Sequence, residues 1–276
     1  MSNIARHNVG KLEAVVLTDG ATEFGYELFE GTEPERIDEL LAKAGRSAAE
    51  TNFNALLIRG GDETILVDAG LRNLFGPAGG RLPQALEEAG VSPDDIDKFV
   101  ITHLHVDHIG GAVTADGKPV FTKAEVLLAD AERAFWSGLD SSSMDEGLQD
   151  MHKLALTVMS AYADQLTCVS ADAEIATGVE LVPLPGHTPG HVGIQVESEG
   201  EEFMYFTDLL HSQYLQLQDP SICLAFDTDK EVSRTTRRNL LDRLAFEGTI
   251  CSGGHMLATA LGRIEKRGSG YAFVGI

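Results

Sequence analysis

His103-Leu104-His105-Val106-Asp107-His108 packs three of the chain's nine histidines and a carboxylate into six consecutive residues. All four of these side chains are types that zinc accepts as ligands. The run before them, Lys98-Phe99-Val100-Ile101-Thr102, is β-branched and aromatic, which predicts a buried strand leading straight into the cluster. If the strand's period of two continues, His103 and His105 point to one side. The turn at Asp107 and His108 then aims two further donors at a neighbouring point. Two metal ions close together would use all four.

One loop cannot close two sites, so this reading needs more donors at other strand ends. Working outward, the sequence supplies them. Gly186-His187-Thr188-Pro189-Gly190-His191 follows a predicted strand at Glu180 to Pro183, Thr207-Asp208 follows Phe203 to Phe206, and Gly253-Gly254-His255 follows Thr249 to Cys251. Glycines in these turns let backbones approach closely. A carboxylate such as Asp208 is what a bridged pair of ions requires.

The rest of the chain predicts strands and helices in alternation. Strands are expected at Glu13 to Leu17, closed by the turn signal Asp19-Gly20, and at Phe53 to Arg59 and Glu63 to Val67 around Gly60-Gly61-Asp62. Further strands are expected at Glu125 to Leu128, Val179 to Val182, Val192 to Val196, Arg263 to Lys266 and Tyr271 to Val274. Helices are expected at Leu82 to Ala89, closed by Gly90, around Asp130 to Trp136, and from Lys230 to Glu247, stopped by Gly248. A longer helix is expected from about Ser143 to Gln165, opened by a capping box of Ser143 and Glu146. Residues 21–50 read poorly, apart from a short surface helix within Thr32 to Arg46. With no Pro/Ser linker or low-complexity tract, residues 1–276 are expected to form one α/β domain.

Composition narrows the partners. The 276 residues carry 21 Lys+Arg against 43 Asp+Glu, a net charge of −22, and that field repels phosphate backbones and anionic membrane surfaces. Neither nucleic acid nor membrane is expected as a partner; a small molecule is. No run is long and apolar enough to span a bilayer, and Met1 to His7 lacks the apolar core of a signal peptide, so a cytoplasmic location is expected. Cys168, Cys223 and Cys251 have no C-x-x-C spacing and read as buried small hydrophobes.

Taken in order, His103-x-His105-x-Asp107-His108, His187, Asp208 and His255, with Asp68 closing an early strand, resemble the metallo-β-lactamase superfamily across nearly the whole chain. The resemblance implies an α/β, αββα sandwich: two mixed β-sheets flanked by helices, with a dinuclear metal site at one edge. It implies that His103, His105 and His187 hold one metal and Asp107, His108 and His255 the other, with Asp208 and a hydroxide bridging. It also implies that Asp68 orients rather than ligates. The implied cofactor is two Zn²⁺, with Mn, Co or Fe as alternatives. A homodimer is expected by analogy only, and His191, although in the same loop as His187, is expected to be supporting or structural.

Asp107 and Asp208 argue against the main β-lactamase classes, which place other residue types, often Cys, at the second metal. Asp208-Leu209-Leu210-His211 carries a finer marker. A His three residues after the bridging Asp, together with Phe226-Asp227-Thr228-Asp229 and Thr236-Arg237-Arg238, resembles the methyl parathion hydrolase-like branch, which mixes phosphotriesterases with lactonases. The expected activity is opening of a lactone such as an N-acyl homoserine lactone. A phosphotriester or an aryl lactone is the alternative substrate, and a non-catalytic metal scaffold is the least favoured reading. Asp107, Asp208 and His211 are the expected catalytic residues, with Asp107 handling the proton and His211 donating to the carbonyl oxygen. Phe24, Tyr26, Phe29, Trp136, Leu139, Tyr214, Leu215 and Leu217 are read either as cleft walls or as core.

Overall fold

In the computed structural model, which describes residues 2–257 and 260–276, Phe99 and Ile101 pack against helices on one face of their strand, while Val100 packs toward a second sheet. The period of two explains why the whole run is apolar: a strand covered on both sides has no face left for polar residues.

The first sheet runs β1 (Ile4–Val9), β2 (Leu12–Phe24), β3 (Ala49–Arg59), β4 (Ile65–Val67), β5 (Lys98–Ile101), β6 (Glu125–Ala129) and β7 (Leu166–Val169), in that spatial order. It is antiparallel from β1 to β4 and parallel from β4 to β7. The second sheet comprises β8 (Glu174–Ala176), β9 (Val179–Pro183), β10 (Val192–Ser198), β11 (Glu201–Tyr205), β12 (Ile250–Ser252), β13 (Gly262–Arg267) and β14 (Gly270–Gly275). Among the described residues, only β11 and β12 pair in parallel there. Val16, Leu56, Val67, Val100, Ile194 and Val196 are among the residues that fill the layer between the sheets.

On the outer face of the first sheet lie α2 (Leu82–Ala89), α4 (Asp130–Gly138) and α5 (Glu146–Ala161), whose Leu86, Trp136 and Val158 meet Leu57, Phe99 and Val126. The second sheet is backed by α7 (Lys230–Glu247) through β13. A smaller apolar cluster joins α1 (Pro34–Lys43) to α6 (Gln213–Gln216) through Leu40, Leu41 and Leu215. The one-turn α3 (Val106–Ile109) follows β5 directly. The four layers are the αββα arrangement that the resemblance implies.

The structure departs from the local sequence pattern at several points. Asp19-Gly20 does not end a strand. It forms a bulge inside the 13-residue β2, and the buried Asp19 carboxylate accepts hydrogen bonds from the backbone N–H groups of Leu71 (2.8 Å), Gly80 (3.1 Å) and Leu82 (2.7 Å). A residue type that favours turns is used here to pin a distant loop. The capping box of Ser143 and Glu146 is absent: Asp145 caps α5, its carboxylate accepting from Leu148 N at 3.0 Å, and the helix stops at Ala161. Residues 21–50 hold the end of β2, α1 and the start of β3, and β1, β7 and β8 are strands beyond those expected from the sequence. Among the described residues, no helix is long and apolar enough to cross a membrane.

Candidate metal centre

Asp68 follows β4, His103 follows β5, His187 follows β9, Asp208 follows β11 and His255 follows β12, so strand ends from both sheets deliver their side chains to one edge of the sandwich. Two neighbouring groups of donors result. His103, His105 and His187 form the first, and Asp107, His108, Asp208 and His255 the second, with the donor atoms of each group within 4.8 Å of one another. In the first, His105 Nδ1 lies 3.1 Å from His103 Nε2 and 2.9 Å from His187 Nε2. Asp208 connects the groups: its Oδ2 is 3.6 Å from His103 Nε2, 3.4 Å from His187 Nε2 and 3.0 Å from His255 Nε2, while its Oδ1 is 3.1 Å from His108 Nε2. The structure thus brings together all seven residues expected as ligands.

The remote ring nitrogens are tied down, which fixes which nitrogen faces inward. His187 Nδ1 meets Asp227 Oδ1 at 3.0 Å, His255 Nδ1 meets the Asn52 carbonyl at 2.9 Å and His108 Nδ1 meets Asp68 Oδ2 at 2.7 Å. Asp68 also accepts from Thr102 N (2.9 Å) and Thr102 Oγ1 (2.8 Å), and that hydroxyl in turn faces His103 Nδ1 at 3.1 Å. One carboxylate therefore reaches candidate donors in both groups. Asp68 (φ 63°) and Thr207 (φ 45°) hold left-handed backbone conformations beside these donors, a cost of about 1–3 kcal/mol each that the surrounding hydrogen bonds must sustain. At Gly254, a Cβ would sit 2.6 Å from Asp208 Oδ1, so only glycine lets this loop come so close.

The donor chemistry fits cations. Burial, reinforced by neighbouring imidazoles, holds His103 and His105 well below the ordinary histidine range, which leaves them neutral and able to ligate. At Asp208, burial opposes ionisation, but His108, His255, His211 and His103 outweigh it and hold the carboxyl well below its usual range. His108 is pushed the other way: burial disfavours its charge, yet Asp208, Asp107 and Asp68 together raise it well above the ordinary value. The carboxylates thus demand positive charge at the point that His108 Nε2 faces. His108 Nε2 and Asp208 Oδ1, although 3.1 Å apart, are not aligned for a hydrogen bond, and both are buried with no other partner, as suits donors that face a cation.

Two further histidines sit close by. His211 Nε2 lies 3.0 Å from Asp208 Oδ2, and its ring stacks on His255 at 4.5 Å. It also forms a third donor group with His187 and Asp208. Burial lowers its pKa to about 4. His191 donates from Nδ1 to the Leu184 carbonyl (2.8 Å), and its Nε2 accepts from Asp208 N (3.2 Å), so it supports the loop of Asp208 from behind. His152 lies away on α5, bonded to Ser141, and His7 packs beside Phe203 on β1 and β11.

In front of the donors opens a cavity of about 330 Å³, walled by Phe24, Leu28, Phe53, Phe75, Met151 and Phe226, with His105, Asp107, Asp208, His211 and His255 at its polar end. Of the residues read as either wall or core, Phe24 is wall. Phe29, Leu215 and Leu217 are buried core, and Trp136 is buried with its ring edge-on to His105 at 5.8 Å. Phe53, Phe75 and Met151 carried no signal in the sequence, because their place in the wall depends on how distant loops meet.

Among known proteins, an N-acyl homoserine lactonase from Bacillus sp. is 30% identical over 119 residues, covering 43% of this chain and 40% of the relative. The anti-Pycsar protein Apyc1 of Paenibacillus sp. is 28% identical over 180 residues, covering 62% of this chain and 66% of the relative. The chain therefore spans about two fifths to two thirds of the length of these relatives. The solved structure of AidC, a dizinc quorum-quenching lactonase bound to a product, is 24% identical and superposes with a TM-score of 0.93, covering 100% of this chain and 98% of that one. The family model of the metallo-beta-lactamase superfamily matches residues 51–255. That span takes in every donor from His103 to His255, and on it the chain belongs to the metallo-beta-lactamase superfamily.

Proposed function

We propose that this protein is a dinuclear metal hydrolase, with zinc as the favoured metal, that opens lactones of the N-acyl homoserine type. The observation that carries the reading is the cavity: a polar end made of metal donors and an apolar wall of Phe24, Phe53, Phe75 and Phe226 suit a ring ester with an acyl tail. The lactonase relatives support the same class.

His103, His105 and His187 would hold one cation, and Asp107, His108 and His255 the other, with Asp208 between them. Bound there, divalent cations lower the pKa of water from about 15.7 to about 7 and polarise a carbonyl oxygen. Asp107 faces the cavity, with Oδ2 at 3.5 Å from both His108 Nε2 and His255 Nε2, and is placed to take the proton of the attacking water and return it to the leaving alkoxide. His211, whose Nε2 lies 3.0 Å from Asp208 Oδ2 at the cavity wall, has a single N–H when neutral and is placed to turn it from that carboxylate to the carbonyl oxygen. The apolar wall takes the acyl chain and excludes water from the far side.

The test is proton release when N-hexanoyl homoserine lactone is added to zinc-loaded protein, beside a chelator-treated sample. Metal-dependent acidification supports the reading. A flat trace at full zinc occupancy overturns it, and turnover of a chromogenic phosphotriester in its place would move the substrate class to phosphorus esters.

A further inference from the structure

Glu132, in the first turn of α4, is a fully buried carboxylate that the proposed reaction does not use. It does not line the cavity in front of the donors. Burying an ionised carboxylate is costly unless donors surround it, and here four do. Oε1 accepts from Leu104 N at 3.0 Å and Trp136 Nε1 at 2.7 Å; Oε2 accepts from Thr188 Oγ1 at 2.6 Å and Gly190 N at 3.2 Å.

The partners are informative. Leu104 lies between His103 and His105, Thr188 follows His187, and Trp136 stands edge-on to the His105 ring. Gly190 permits the approach, since a Cβ there would fall 2.1 Å from the Glu132 backbone nitrogen. None of the four bonds reaches the loops of Asp208 or His255, and His108 is held by Asp68 instead.

We propose that Glu132 is a positioning residue that clamps the loop of His103 and His105 to the loop of His187, setting the geometry of the three-imidazole half of the centre and not of the other half. This rests on the dinuclear reading above. The clamp joins two sheets at the metal edge: one loop follows β5 in the first sheet, the other follows β9 in the second. Its removal leaves each histidine on its own strand end but frees the two loops to drift apart, and metal affinity is sensitive to such support by about 10–100-fold.

The experiment titrates metal-free protein with Co²⁺, following the visible absorption of the bound ion, and with Zn²⁺ against a competing chelator. Wild type is expected to show two binding events, and Asp107→Asn, which removes charge from the other group alone, tells which is which. Glu132→Gln keeps the side chain's shape but turns an amide N–H₂ toward N–H donors. It is expected to weaken the three-imidazole event by about 10–100-fold and change its cobalt spectrum, while the other event shifts less than about twofold. Thr188→Val removes one arm of the clamp and is expected to weaken the same event by less, and it carries the test if Glu132→Gln does not fold. Equal weakening of both events, or no change in either, overturns the clamp and leaves the dinuclear reading standing. Binding of only one equivalent by wild type overturns both.

Discussion

His103, His105 and His187 meet as three imidazoles, whereas Asp107, His108, Asp208 and His255 bring two carboxylates into the neighbouring group. The first group has its carboxylates outside the ring of donors: Asp227 on His187, Glu132 on the two loops, Asp68 through Thr102. The second has its carboxylates among the donors and faces the cavity through Asp107, whose side chain is 15% exposed. Charge alone draws a cation to the second group, while the first depends on geometry held from behind. Imidazoles thus stand among the donors in both halves, while carboxylates stand among them in one half and behind them in the other.

The largest effect that would break this comparison is at the residue the halves share. Asp208→Ala removes the oxygen that faces His103, His187, His211 and His255. It is expected to abolish lactone hydrolysis and cost both groups their metal, as read by elemental analysis; two equivalents of tightly held metal would contradict the bridging role. Next in size is Asp107→Asn, expected to lower kcat by about 10²–10⁴-fold in folded protein. An unchanged rate would remove Asp107 from proton transfer.

The braces should separate the halves. Asp227→Asn is expected to weaken metal at the imidazole half by about 10–100-fold, and Asp68→Asn to weaken both, because Asp68 touches His108 directly and His103 through Thr102. Chelator competition reads both. Asp227 also carries a pH signature. Burial opposes its ionisation, but the hydrogen bond from His187 and the nearby positive groups hold its carboxyl below the ordinary 3.8. The folded state thus favours the charged form, so its stabilisation is present above about pH 3.8 and lost as the pH falls further. In metal-free protein, the stability gap between wild type and Asp227→Asn, read by urea unfolding, should be full at pH 7 and close below pH 3.8; a gap that widens in acid would contradict it. The smallest effect is expected at the wall: Phe226→Ala should raise KM for acylated lactones by roughly tenfold with little change in kcat.

Much of this was legible in the sequence, for physical reasons. Phe99, Val100 and Ile101 are apolar on both faces, so they announce a strand buried from both sides, and the candidate donors stand just past such runs. His103, His105, Asp107 and His108 are close enough in sequence to be seen as one cluster. The supports were not legible. Glu132 accepts from residues 28 and 56–58 positions away, and Asn52 meets His255 across 203 residues. Asp19-Gly20 misled because the local turn signal is outweighed by three backbone donors that arrive from 52–63 residues further on. The cavity wall was hidden in the same way, since Phe75 and Phe226 come to face the donors only after both sheets have formed.

In the proposed function, one edge of the sandwich holds two cooperating cations that open a lactone. The most direct measurement titrates zinc into metal-free protein while following N-hexanoyl homoserine lactone hydrolysis. Two cooperating ions require a rate that climbs until two equivalents are bound and then stays level. Full activity at one equivalent, or none with two bound, would contradict it.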